Sequence, residues 1–229
     1  MNTMKRNLTI ILLLLLVLAE MKAQVLPFRL SKGAGTFRLG IVAGDKSRWL
    51  DECELEKTGD RTYIIKDALL GIGKIRLMIC PLTDTKGLLV EVSGSRLPEN
   101  LSLCWAFGAC NEDEALSGQG AAISPEACRD NVFSDEENAF TVYYGASMAL
   151  RVTQGIAPVG SELRLSDARR QTSPVELYHS GKKTDAPVIS SLYSWNTKEK
   201  CYFCFYKQNA GADYNYFMLP HLFEKESKR

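Results

Sequence analysis

Ile75-Arg76-Leu77-Met78-Ile79-Cys80, Leu88-Leu89-Val90-Glu91-Val92-Ser93 and Leu101-Ser102-Leu103-Cys104-Trp105-Ala106-Phe107 decide the fold of this chain. In each stretch every second side chain is large and apolar. A period of two places those side chains on one face of an extended strand. Working upstream, residues 36–42 form a further short run. Residues 51–57 and 61–66 flank Thr58-Gly59-Asp60, a compact hairpin signal with a glycine free to take a positive φ. Downstream, Phe140, Val142 and Tyr144 share a face, as do Met148, Leu150 and Val152. Val159, Leu163 and Leu165 leave Glu162 and Arg164 on the opposite side, and residues 188–195 and 200–207 close the series. About ten or eleven strands at turn-punctuated spacing predict an all-β fold, an antiparallel β-sandwich or barrel. Helix-period stretches are scarce, which argues against a wound α/β sheet.

Composition agrees with one soluble globular domain or little more. The chain has 229 residues, 45% hydrophobic and 24% charged, which excludes a disordered tail, a collagen-like rod and a multi-span membrane protein. Lys plus Arg is 28 and Asp plus Glu is 27, for a net charge of +1. Such a balance gives no electrostatic footprint for nucleic acid, and no nucleic-acid partner is expected.

The first residues predict a compartment. Lys5 and Arg6 precede an apolar run over residues 8–19, and Met21-Lys22-Ala23 ends in a small residue before Gln24. This is the order of a secretory signal peptide over residues 1–23, cleaved near Ala23-Gln24. The apolar run is about 12 residues long, short of the roughly 20 that cross a bilayer. The mature chain is expected in the periplasm or outside the cell, with no membrane association after cleavage. All seven cysteines lie beyond the leader. An odd count leaves at least one outside any intrachain pairing, and no disulfide framework is assigned.

Two segments do not read as strands. Residues 111–138 are rich in Asn, Asp, Glu, Gly and Ser, and residues 166–186 carry Asp167, Arg169, Arg170 and Gly181-Lys182-Lys183. Both are expected to be long excursions. Near the C-terminus, Pro220 fits the first turn of a short helix running through Leu222 and Phe223 to Lys228.

Candidate chemistry is thin. His179 and His221 have no ligand or triad partners at any useful spacing. Cys201 and Cys204 lie three apart on a strand, so their thiols face opposite ways and do not converge on a metal or redox centre. Asp135, Glu136 and Glu137 lack the Asp-x-Asp-x-Asp-Gly pattern of a calcium loop. Gly71-Ile72-Gly73 lacks the third glycine of a dinucleotide site. No metal, no cofactor and no catalytic residue is assigned. Glycoside hydrolysis needs two facing carboxylates, and the nearest group is Asp51, Glu52 and Glu54. Trp105 shares its face with Leu101, Leu103 and Phe107 and is expected in the core. Trp49, in the polar stretch 44–49, and Trp195, at a strand end, are the better candidates for stacking against a sugar ring.

Read in order, several segments resemble a known family. These are Phe37-Arg38-Leu39-Gly40, Trp49-Leu50-Asp51-Glu52, Cys80-Pro81-Leu82, Thr85-Lys86-Gly87-Leu88, Leu97-Pro98-Glu99 and Trp105-Ala106-Phe107-Gly108. They resemble the N-terminal part of a family of large secreted proteins of unknown function from Bacteroides-type bacteria. Met218-Leu219-Pro220-His221-Leu222-Phe223 is similar to the connector after that family's first domain. The family is similar in plan to glycan-degrading enzymes that place a β-supersandwich, of galactose-mutarotase-like type, before an (α/α)6 toroid. The resemblance implies a sandwich over residues 24–216. It also implies that residues 217–229 start a linker helix to a helical domain absent from this chain. The catalytic carboxylates of such enzymes generally come from the toroid, so none is carried over here. A truncated product or a separately encoded module is expected.

The expected function is therefore a non-catalytic sandwich domain of a secreted carbohydrate-processing system, with a glycan or an (α/α)6 domain as partner. Two alternatives stay open. One is a structural or adhesive envelope protein without a sugar ligand. The other is a self-sufficient glycoside hydrolase using carboxylates near Asp51, Glu52 and Glu54.

Overall fold

The computed structural model describes residues 35–110, 122–145, 148–181 and 183–229. The predicted leader and residues 111–121 lie outside the described residues. Among those described, thirteen strands form two antiparallel sheets. The smaller sheet runs β11 (Arg164–Asp167), β12 (Pro187–Ser194), β7 (Leu101–Gly108), β1 (Thr36–Ala43), β2 (Lys46–Trp49). The larger begins β3 (Glu54–Lys57), β4 (Thr62–Lys66), β5 (Lys74–Pro81), β6 (Gly87–Ser95). It continues β13 (Cys201–Lys207), β10 (Arg151–Ile156), β9 (Ala139–Tyr144), β8 (Val132–Glu136). Of the sandwich and the barrel that the alternation allows, the chain forms the sandwich.

Register explains the core. Leu77 pairs with Val92, Ile79 with Val90, and Val90 with Phe203, so the apolar faces of β5, β6 and β13 lie side by side. From the other sheet, Leu39, Leu103, Trp105 and Phe107 come down on them, all fully buried. An aromatic cluster fills the centre. Phe107 stacks on Phe205 with centroids 4.9 Å apart, and Phe37 lies 4.6 Å from Phe205. The Phe140 ring fills the space a side chain at Gly155 would take: an added Cβ would lie 2.2 Å from it, so the ring would have to move.

Each sheet also has an outer face with its own cover. Leu219–Ser227 forms a helix, α2, with Pro220 in its first turn as the sequence predicts. It lays Leu219, Leu222 and Phe223 over Cys80, Leu89, Tyr202 and Cys204 of the larger sheet. Strand β13 is thereby covered on both sides, and its first six residues are all buried. The smaller sheet's outer face is covered by α1 (Pro174–Tyr178) and by the segment carrying Ile123 and Cys128.

Several expectations need correction. The excursion over 166–186 contains α1, begun by the Ser173 side chain accepting from the Glu176 amide at 3.2 Å, with Pro174 in the first turn. Five residues are too few for a periodic signal. Ser173→Ala is expected to cost about 1 kcal/mol, read as a small drop in the urea midpoint. The excursion over 111–138 contains β8, joined to β9 by a tight turn at Glu137 (φ 54) and Asn138; its acidic residues masked an edge strand. Residues 44–49 are not a polar connection. Gly44 (φ 63) and Asp45 turn the chain so that Ala43 pairs with Lys46, making β2 a second strand of a hairpin. Strand β10 starts only at Arg151, leaving Met148 and Leu150 outside it and exposed. Val159 likewise lies ahead of β11, exposed.

Candidate functional site

Helix α2 packs on β5, β6 and β13, and the outer face of the larger sheet beyond it holds a groove over β8, β9 and β10. There, register aligns one polar row across four strands. Ser134 pairs with Thr141, Thr141 with Gln154, and Gln154 with Tyr206. The row borders a groove of about 270 Å³ walled by Asp213 and Tyr214. Tyr206 and Tyr214 meet edge to face at 4.8 Å. The Tyr214 hydroxyl donates to Asp84, and the Tyr206 hydroxyl accepts from the Tyr214 amide at 3.4 Å. Burial raises both hydroxyls above the usual phenol range, and Asp84 adds to the effect on Tyr214. Both phenols stay neutral. The Thr141 hydroxyl and the Gln154 amide have no protein partner among the described residues. Amide, hydroxyls and the acidic groups at the rim can together donate to and accept from a neutral, polyhydroxylated ligand. Sequence reading missed this row. The polar half of each alternating strand was visible, but residues 134 and 206 fall in one row only through sheet register.

The two tryptophans singled out from the sequence are not surface platforms. Trp49 is fully buried, because β2 turns it under the 168–173 loop, and its Nε1 donates to the Gln171 carbonyl at 2.9 Å. Trp195 is 3% exposed and donates to the Glu199 carbonyl at 3.0 Å. Neither ring face is open to a sugar. Trp105 lies in the core as expected.

The carboxylates near Trp49 are committed to cations. Arg38, on β1, lies over the Trp49 ring, its Cζ 4.2 Å from the centroid. Its guanidinium reaches both Asp51 oxygens at 3.3 and 3.0 Å, Glu52 at 3.3 Å and the Gln171 carbonyl at 3.2 Å. This cluster ties three segments together. Glu54 sits on the edge strand β3, 3.5 Å from Lys66. Asp51 and Glu52 share one cation and so do not face each other across an open cleft, the arrangement that hydrolysis requires.

Cys201 faces the core and Cys204 faces α2, so the pair does not converge. Burial raises both thiols, which keeps them protonated and unreactive. His179 and His221 are exposed. Among the described residues no group of three or more His, Cys, Asp or Glu side chains is placed to hold a metal ion. No described helix is long and apolar enough to cross a membrane.

The sequence profile of a domain of unknown function, DUF4450, matches residues 31–227. The chain belongs to that family. Among solved structures, the DUF4450 chain is similar to a bacterial glucoamylase complexed with acarbose, at a TM-score of 0.53 and 11% identity. The match covers 85% of this chain and 32% of the glucoamylase, so the chain spans about a third of that protein's length. At this identity the likeness shows the fold, not the activity. No curated protein matches the chain.

Proposed function

We propose that this DUF4450 chain is a non-catalytic β-sandwich domain of a secreted carbohydrate-processing system, binding glycan weakly and working beside a helical (α/α)6 domain. The observation that carries the reading is the polar row Ser134–Thr141–Gln154–Tyr206 beside its groove, on a fold shared with a glucoamylase. Two further features support it. The carboxylates at 51, 52 and 54 are engaged by Arg38 and Lys66. Ser134, Thr141 and Gln154 offer neutral hydrogen-bonding groups to sugar hydroxyls, with Asp135, Glu136 and Asp213 as further acceptors along the groove and the buried Tyr206 closing the row.

Calorimetric titration of the mature chain with a panel of neutral oligosaccharides tests it. The expected dissociation constants are about millimolar. Removing the Gln154 amide and the Thr141 hydroxyl together, as Gln154→Ala with Thr141→Val, is expected to weaken binding about thirtyfold, since each hydrogen bond contributes about 1 kcal/mol. The folded signal should not change. Turnover of any glycan by the purified chain would overturn the non-catalytic reading. Absence of binding across the panel would leave the structural envelope role in its place.

A further inference from the structure

A second pocket lies at the opposite sheet, where β11 forms an edge. Its volume is about 450 Å³, and Glu162, Leu163, Arg164, Leu165 and Tyr178 line it, a size within the roughly 300–1,000 Å³ range of small-ligand sites. Arg164 begins β11. Its pairing with Ser190 turns it to the outer face of the sheet, toward α1. Tyr178, the last residue of α1, backs the guanidinium, with the Arg164 carbon 4.6 Å from the ring centroid. The neighbours on that face offer Arg164 nothing. The Ser166 and Ser190 hydroxyls are 2.7 Å apart and bond each other.

Arg164 differs from the arginines beside it. Arg169 holds Glu126 and Asp185, and Arg170 holds Glu176. Arg164 has no carboxylate within ion-pair distance among the described residues, and its Nε is sealed from water without an acceptor. A cation desolvated on one side and lacking a counter-charge favours an anion on its open side. A guanidinium fixed by stacking presents its remaining donors as a planar fork, which matches a carboxylate or sulfate better than a single acceptor. The Tyr178 ring edge supplies apolar surface beside that fork, suited to the C–H face of a sugar ring, while Leu163 and Leu165 line the same pocket from the other side of the strand.

We propose that β11 and the end of α1 form a subsite for an acidic saccharide unit, whose carboxylate or sulfate ester is gripped by Arg164. The oxyanion part stands on the geometry of Arg164 alone; the saccharide part rests on the carbohydrate reading above. Glu162 at the rim is the opposing charge. It is solvent-exposed, so salt screens it.

The test titrates the full mature chain with a uronic-acid disaccharide, a sulfated disaccharide, the neutral disaccharide of each, and inorganic sulfate. At least one acidic disaccharide is expected to bind about tenfold tighter than its neutral counterpart. The two acidic arms show which oxyanion fits. Arg164→Met should abolish that preference, Arg164→Lys should keep part of it, and Glu162→Gln should tighten acidic binding. A thermal melt of each variant checks folding, and Glu162→Gln reads the site even where Arg164→Met fails to fold. Equal binding of acidic and neutral sugars, or acidic preference retained in Arg164→Met, overturns the proposal. Arg164-dependent binding of sulfate with no saccharide binding keeps the oxyanion site and overturns its saccharide half.

Discussion

Phe205→Ala is expected to lower the unfolding free energy by about 3–5 kcal/mol, a large share of the 5–15 kcal/mol typical of a domain. The ring is fully buried in β13, the strand between β6 and β10 near the middle of the larger sheet. It stacks on Phe107, leans on Phe37 at 4.6 Å, and lies 6.2 Å from Phe140 and 6.5 Å from Trp105. Truncation removes its transfer free energy and leaves a hole bounded by four other aromatic rings. Those rings belong to paired strands and cannot all collapse into it. The lost ring pairs are part of that cost. Equilibrium urea unfolding should show a lower midpoint with an unchanged slope. Phe205→Leu should lose less, because it keeps most of the volume. A Phe205→Ala protein as stable as the parent would mean that the two sheets do not pack through this cluster.

The same cluster shows what the sequence makes legible. Strands whose two faces differ sharply, such as β5 and β7, announce themselves by alternation, and Trp105 is placed in the core by its neighbours at every second position. Strand β2 does not. As an edge strand it carries Lys46, Ser47 and Arg48, and its single buried residue is the last one, Trp49. A polar edge strand and a polar loop have the same composition, so Trp49 reads as exposed until the hairpin at Gly44 is known. The polar row over β8 to β10 is hidden for a different reason. Thr141 and Gln154 are ordinary outward residues of their own strands, and nothing local says that register joins them to Ser134 and Tyr206. Arg164 was visible on the polar side of its stretch. Its lack of a counter-charge depends on where Arg169, Arg170 and their carboxylates fold, which no pattern of period two records.

Arg38→Ala is expected to cost about 3–5 kcal/mol, because it leaves a largely buried carboxylate without its cation. The Arg38 side chain is 6% exposed and that of Asp51 16%. Glu52 is nearly half exposed, and its share of the loss should be small. The guanidinium also covers the Trp49 ring and bonds the Gln171 carbonyl. Its removal therefore loosens the 3-10 turn at Leu50–Glu52 and the loop before α1 together. Arg38→Lys should recover little, since an ammonium cannot reach both Asp51 oxygens and Gln171 from one plane. Arg38→Met with Asp51→Leu removes both charges and keeps apolar volume over Trp49, and it should recover much of the loss. Urea unfolding of the two single variants and the double variant gives the coupling directly. The outcome bears on chemistry as well as stability. A strong coupling means that Asp51 spends its charge on Arg38, as expected for a residue that holds the sandwich together. If Arg38→Ala instead left stability unchanged, Asp51 would be free of that duty, and the case for a hydrolase built on the carboxylates at 51 and 52 would reopen.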